Sequence, residues 1–208
     1  MNFYTLEKSG EAIYRDKGSK FISFVVSVTN EEEIQQELKR VRSKFPDATH
    51  HCYAWRINPE NVHEFAQDDG EPSGTAGNPI LNRLRSFQLI NSLGIVVRYY
   101  GGTNLGKGGL IKAYSESTQL ALEGIALHEI QSFILYTITY PYSESKHVEL
   151  VLSTHGLKTT ESDYTDEVKL QVACAEGKSQ DFEQNISGLA WLGVSLERGK
   201  RKFISGTS

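Results

Sequence analysis

Five glycines and a lysine lie together between positions 101 and 109, and this segment is the part of the chain best suited to binding an anion. The apolar run before it predicts a buried strand, and the apolar periodicity after it predicts a helix. Free N–H groups at the start of that helix, with Lys107 beside them, favour a negative group, and glycine allows close approach of the backbone. The expected anion-binding or nucleic-acid-binding residues are Arg98, Gly101, Gly102, Thr103, Asn104, Gly106, Lys107, Gly108, Gly109 and Lys112.

The same segment is close to a phosphate-binding P-loop but lacks the magnesium ligand of that loop. Gly101 is followed after four residues by Gly106 and Lys107, yet the next residue is Gly108, where a P-loop needs serine or threonine. No later apolar strand ends in an aspartate that would be the second magnesium partner. A nucleotide hydrolase is therefore not expected. Two interpretations remain, a tight structural turn and a contact for phosphate, foremost that of an RNA backbone.

Three carboxylates fall within four residues at positions 68–71, and such a group can bind a metal or perform acid–base chemistry. His50 and His51 lie on a predicted strand just upstream, where alternation lets at most one of them reach a given site. Because the acids are adjacent in a turn and neither histidine is clearly paired with them, no metal is expected and no catalytic residue is assigned. The residues of this candidate cleft are His51, Asp68, Asp69, Glu71, Ser73 and Thr75.

The acidic run also has a purely structural interpretation. Asp69 and Gly70 are typical turn residues, and Ser73 or Thr75 can cap the helix that Pro79 begins. In that case the carboxylates hold a loop and take no part in chemistry. Composition does not decide between the two interpretations.

Composition and charge exclude several classes of protein. The chain has 208 residues and a net charge of 22 − 26 = −4, so RNA binding would need a local basic patch, and sequence-specific DNA binding is not expected. No segment approaches the roughly 18 apolar residues of a membrane span, and the N-terminus lacks the pattern of a signal peptide. Two distant cysteines do not make a disulfide scaffold, which favours the cytoplasm.

The sequence pattern predicts an α+β protein of two domains, residues 1–128 and 129–208. The first contains the glycine-rich and proline-rich segments. The second reads strand, helix, strand, strand, helix, strand, which is the order of a ferredoxin-like βαββαβ sandwich. Such a fold does not by itself specify a function.

Two long motifs resemble those of the Impact/YigZ family. They are residues 68–77, DDGEPSGTAG, and residues 96–110, VVRYYGGTNLGKGGL, in the order and spacing of that family. Residues 51–54 and 113–114 fit the same pattern. The resemblance covers the whole chain, because bacterial members carry a ferredoxin-like domain after the Impact domain.

The resemblance implies a fold and a class of partner. It implies that the first domain is similar to domain IV of elongation factor G and the second to its domain V. Eukaryotic relatives regulate translation through a partner protein, by interfering with a stress kinase that a bacterium does not have. The association that carries over is with the ribosome, RNA or a translation-related protein, and no established catalytic residue is implied.

Two functions follow as expectations. The first is a non-enzymatic, translation-associated regulatory protein without a cofactor, which binds RNA or the ribosome through the glycine-rich loop. The alternative is an enzyme acting on a phosphorylated or small substrate in a cleft between residues 68–75 and 101–109. Carboxylates near the loop would repel phosphates and favour the enzyme, whereas the likeness to a ribosome-binding factor favours the regulator, which is preferred.

Overall fold

The computed structural model describes residues 3–164 and 167–205. The chain forms two compact units, one made of the described residues up to Ile130 together with Ser205, the other Gln131–Ile204. The division falls next to the domain boundary expected after residue 128. Each unit has its own hydrophobic core. Each unit also combines helices with an antiparallel sheet, so the fold is α+β in both.

The strands of the first unit are β1 (Phe3–Leu6), β2 (Gly10–Asp16), β3 (Ser19–Ser27), β4 (His50–Ile57), β5 (His63–Gln67) and β6 (Ser92–Tyr99). Its helices are α1 (Glu31–Lys44), α2 (Gly77–Ser86) and α3 (Gly106–Leu122). Five of the strands form an antiparallel sheet in the order β2-β3-β6-β4-β5, and β1 lies outside this sheet.

Alternation along β4 decides which side chains meet which helices. Cys52 and Ala54 face α2 and α3 and belong to the same core cluster as Tyr114. Tyr53 and Trp55 face the other way and pack against the cluster that contains α1. The candidate site lies on the α2 and α3 side of the sheet.

Helix α1 begins with a side-chain cap and an acidic first turn. The side chain of Asn30 accepts a hydrogen bond from the N–H of Glu33 at 3.0 Å, and three glutamates fill the first turn. Acidic side chains at this end interact favourably with the helix dipole. The triple glutamate therefore stabilises a helix start.

The second unit is the expected βαββαβ sandwich. Its elements are β7 (Leu127–Tyr140), α4 (Ser145–Thr154), β8 (Thr159–Tyr164), β9 (Val168–Ala175), α5 (Ser179–Ser187) and β10 (Ser195–Ser205). The sheet order is β10-β7-β9-β8, so that β7 pairs with both β10 and β9. The side chains of β9 that face the helices alternate with period two, and they are Val168, Leu170, Val172 and Cys174.

Strand β1 pairs with the first residues of β7 inside the first unit. Phe3 lies opposite Ile130 and Leu6 opposite Leu127, in antiparallel register. This pairing joins the two ends of the unit and was not predicted from the sequence. Within the described part of the chain, no helix combines the length and the apolar character needed to cross a membrane.

Candidate functional site

The glycine-rich loop connects β6 to α3 and contains backbone that only glycine adopts easily. Gly102 and Gly106 have φ of +82° and +71°. Gly101 packs so closely on the β2–β3 hairpin that an added Cβ would stand 1.9 Å from the carbonyl carbon of Gly18. The loop therefore combines positive φ with the close approach that its glycines indicate.

Helix α3 begins inside the glycine segment without a capping side chain. Leu105 is at the N-cap position, makes no side-chain cap hydrogen bond, and no acidic residue lies in the first turn. Lys107 follows as an exposed side chain and makes no ion pair with any residue that the structure describes. The positive N-terminal end of a 17-residue helix and the side chain of Lys107 therefore lie beside each other.

Asp68 binds the start of α2 across eight or nine residues. Its Oδ1 accepts hydrogen bonds from the N–H groups of Ala76 at 3.0 Å and Gly77 at 2.8 Å, and its Oδ2 accepts from Gly74 at 2.8 Å. One carboxylate therefore satisfies three backbone donors near a helix N-terminus. It supplies the hydrogen bonds that a local N-cap side chain would otherwise make.

The expectation that Ser73 or Thr75 caps α2 is wrong. The Thr75 hydroxyl donates to the Pro72 carbonyl at 2.6 Å, and Ser73 is exposed. Ala76 is the N-cap residue and makes no side-chain cap bond. The loop folds back so that Asp68, eight residues before Ala76, accepts the hydrogen bonds of the helix start instead.

Asp69 fastens the same loop to β4. Its Oδ2 accepts from the N–H of His51 at 2.7 Å, and its Oδ1 lies 3.7 Å from the Arg42 guanidinium. Its φ of +44° and the +89° of Gly70 form the tight turn that these residue types indicate.

Glu71 and Arg98 form a buried ion pair beneath the glycine-rich loop. Arg98 Nη1 donates to Glu71 Oε1 at 2.5 Å, and the two side chains are 6% and 3% exposed. The Tyr114 hydroxyl donates to the same oxygen at 2.8 Å. Arg98 Nη2 donates to Ser19 Oγ at 3.3 Å, and that hydroxyl also accepts the N–H of Gly101 at 3.2 Å. The pair thus connects both motifs to the β2–β3 hairpin.

Cys52 extends this network as a buried thiol. Its sulfur lies 3.2 Å from the Tyr114 hydroxyl and 3.0 Å from the Asp68 carbonyl. Burial raises the pKa of the Cys52 thiol far above its ordinary value, and burial likewise raises the pKa of Tyr114. Both groups stay protonated at neutral pH.

His50, and not His51, faces the candidate cleft. His50 Nδ1 donates to the Asp69 carbonyl at 2.8 Å, which leaves Nε2 pointing toward Glu71 Oε1 at 3.8 Å. The His51 ring lies on the opposite face of the sheet and hydrogen-bonds the Phe45 carbonyl at 3.0 Å. Burial lowers the pKa of His51. His51 therefore does not join the acids in a cleft.

A pocket of about 520 Å³ opens between the acidic loop and the glycine-rich loop. Five of the predicted residues line it, and six further residues complete its wall. The predicted ones are Glu71, Arg98, Asn104, Gly106 and Lys107. The others are Thr49, His50, Pro72, Tyr100, Leu105 and Leu110.

The remaining predicted residues lie outside the pocket wall. Asp68, Asp69 and Thr75 hold the acidic loop, while Ser73 is exposed beside it. Thr103 and Lys112 are exposed. Gly101, Gly102, Gly108 and Gly109 shape the loop and the first turn of α3.

Sequence reasoning missed His50 as the cleft histidine and Tyr114 as the buried partner of the acids. The alternation of side chains along β4 is the signal that could have identified His50. Cys52 and Ala54 are small and apolar and suit a face covered by helices, so His50, which shares their parity, lies on that face.

Within residues 3–164 and 167–205, no group of three or more histidine, cysteine or acidic side chains is arranged to hold a metal ion. Each of the three acids is engaged by a backbone N–H or a guanidinium. The absence of a metal stays a prediction, which metal analysis of the purified protein tests.

Comparisons with known proteins agree with the motifs. Residues 17–122 match the Impact N-terminal domain, and residues 138–189 match a domain of unknown function, DUF1949. The IMPACT family member YvyE of Bacillus subtilis (strain 168) is 31% identical over 98% of this chain and 94% of its own length. The IMPACT family member YigZ of Escherichia coli (strain K12) is 35% identical, covering 82% and 85%.

A solved structure has the same fold along nearly the whole chain. The crystal structure of a hypothetical protein is 30% identical to this chain, covers 96% of it and 98% of its own length, and superposes with a TM-score of 0.67. Both domains are thus matched in sequence, and the two motifs that form the pocket lie within the Impact match. The chain belongs to the Impact family.

Proposed function

We propose that this chain is a non-enzymatic regulatory protein of translation that binds RNA or the ribosome through the pocket beside the glycine-rich loop. Its partner is the ribosome, RNA or a translation-related protein in the cytoplasm. Membership of the Impact family supports the link to translation. The geometry supports the binding of a phosphate.

One observation carries the proposal, namely that the uncapped start of α3 and Lys107 both border the pocket. A helix N-terminus of this length presents unsatisfied N–H groups and a partial positive charge. With a lysine added, these donors favour an anionic oxygen. Since the chain has a net charge of −4, attraction to RNA has to be local, and this is a local cationic site.

The acids beside the pocket do not oppose a phosphate as strongly as their number suggests. Asp68 accepts hydrogen bonds from three N–H groups, Asp69 accepts one from an N–H and lies beside Arg42, and Glu71 is paired with Arg98. In this proposal Lys107 contacts the phosphate from solvent and Lys112 adds positive charge farther along α3. Arg98, which is already paired with Glu71, forms the floor of the pocket.

Co-sedimentation with ribosomes and filter binding to single-stranded RNA, each at low and high salt, test the proposal. About two phosphate contacts predict a log–log salt slope of about −1 to −2. Lys107→Ala should weaken binding similarly for all RNA sequences and reduce the slope by about 0.7. Lys39→Ala, an exposed lysine on α1 at the other face of the sheet, is the matched control and should change little.

Two results would contradict the proposal. Binding that is unaffected by salt would exclude a phosphate contact. Equal affinities of the wild type and Lys107→Ala would mean that the glycine-rich loop is only a structural turn.

The enzyme alternative has one observation in its favour. His50 Nε2 points toward the buried Glu71 in a concave pocket, where an imidazole can accept a proton. If the chain hydrolyses phosphate esters, release of inorganic phosphate from a panel of small esters should occur and should disappear in His50→Gln. No release from any ester, together with RNA binding, would leave the regulator as the function.

A further inference from the structure

Tyr100 and Lys107 line the same pocket and offer two different kinds of contact, an aromatic face and a cation. Tyr100 follows β6 directly and is 46% exposed, and Leu105 and Leu110 add apolar surface to the pocket wall. Exposed aromatic rings beside a cationic groove are the usual means of holding unstacked bases. The pocket therefore has an apolar part and an anion-binding part.

The pocket has the size of a small-molecule site. Its volume of about 520 Å³ lies within the range of pockets that hold ligand-sized molecules. The bases of an RNA duplex are paired and stacked inside the helix and cannot enter such a cavity, whereas an unpaired base can turn outward into it.

A buried donor in the pocket wall is left without a partner. Arg98 is 5% exposed, and its Nε is one of two buried side-chain polar atoms in the described residues that have no hydrogen-bond partner. Its guanidinium carbon lies 5.5 Å from the centroid of the Tyr100 ring.

We propose that the pocket takes one unpaired nucleotide of a single-stranded RNA, with the base stacked on Tyr100 and the phosphate at Lys107 and the start of α3. This inference rests on the proposed function and specifies its ligand. The hydroxyl of Tyr100 is dispensable for stacking, since it makes only a 3.4 Å contact with Asn104 Oδ1.

Fluorescence anisotropy with a labelled 12-nucleotide single-stranded RNA and the blunt duplex of the same sequence tests the inference. The single strand should bind more tightly than the duplex. Tyr100→Ala should weaken single-strand binding roughly 5- to 100-fold, and Tyr100→Phe should restore it. Tyr142→Ala, which removes a tyrosine that is 74% exposed in the second unit, should have no effect.

The outcomes separate this inference from the proposed function. If Lys107→Ala weakens binding but Tyr100→Ala does not, the phosphate contact stands and the stacked nucleotide is refuted. Duplex binding as tight as single-strand binding refutes it as well. If the wild type binds neither RNA nor ribosomes, both proposals fail. Circular dichroism of each variant shows whether the fold is retained.

Discussion

Glu71 compensates a charge that the fold has placed almost out of contact with water. Arg98 Nη1 and the Tyr114 hydroxyl both donate to its Oε1. A buried ion pair adds little net stability compared with apolar residues, but removing one partner leaves an uncompensated charge. The acid of the family-like motif is therefore expected to stabilise the fold as well as to line the pocket.

Glu71→Gln should lower the free energy of unfolding by about 3–5 kcal/mol, because Arg98 then stays buried without a counter-charge. Urea denaturation followed by circular dichroism measures this. Glu116→Gln is the matched control, since that side chain is 40% exposed and 3.9 Å from Arg83, and it should cost less than about 1 kcal/mol. Equal losses in the two variants would contradict a special role for Glu71.

His51 should make stability depend on pH. Burial lowers its pKa in the folded state, so the unfolded state takes up a proton that the folded state does not. Stability is then complete above the unfolded value of about 6.5 and decreases as the pH falls through it. Thermal unfolding between pH 7.5 and 5.5 should show this decrease.

The control for this pH dependence is another histidine. His51→Gln should flatten the change between pH 7.5 and 5.5, whereas His147→Gln, at a side chain that is 56% exposed, should retain it. A steep decrease that survives His51→Gln would assign the effect to other groups. Below about pH 5, carboxylates such as Glu64, whose pKa Arg85 lowers, act in the same direction.

Among the elements, the glycine-rich segment contains one position where the fold requires glycine and another where it does not. Gly101 meets the β2–β3 hairpin backbone, where the nearest atom to an added Cβ is the carbonyl carbon of Gly18. Gly108 lies in the first turn of α3 with nothing within 4 Å of such a Cβ. The two positions form a matched pair in one segment.

Gly101→Ala should destabilise the first unit by about 1–3 kcal/mol, because either the hairpin or the loop has to move. Gly108→Ala should be neutral or stabilise by up to about 1 kcal/mol, since alanine is the better helix former. Melting temperatures of both variants check this. A Gly101→Ala protein as stable as the wild type would show that the close approach is easily relieved.

At the scale of the whole molecule, the elements that were predicted are those with a strong local pattern. The strand before the glycine-rich loop, the helix after it and the alternating strands of the second unit each have a pattern that lies in neighbouring residues. β1 and β5 were missed. β1 has four residues and pairs with a strand more than 120 residues away, and β5 is a short strand with alternating half-exposed and exposed residues at the sheet edge.

The pocket was predictable only in part, for the same reason. The two loops and their pocket-lining residues Glu71, Asn104 and Lys107 were found because glycines and acids stand out in composition. The choice of His50 over His51 depends on strand phase, and the binding of Asp68 to α2 depends on how the loop folds back. Tertiary structure decides both, so local propensity does not predict them.

The pairing of β1 with the first residues of β7 brings together the two ends of the segment 3–130. Because Phe3 and Ile130 are antiparallel partners, this segment, which holds all of the described first unit except Ser205, begins and ends at neighbouring backbone positions. Such an architecture can be spliced into a surface loop of another protein through short linkers, or circularly permuted, without stretching its core. Gene fusion could thus attach this pocket to unrelated chains and preserve its loops and their hydrogen bonds.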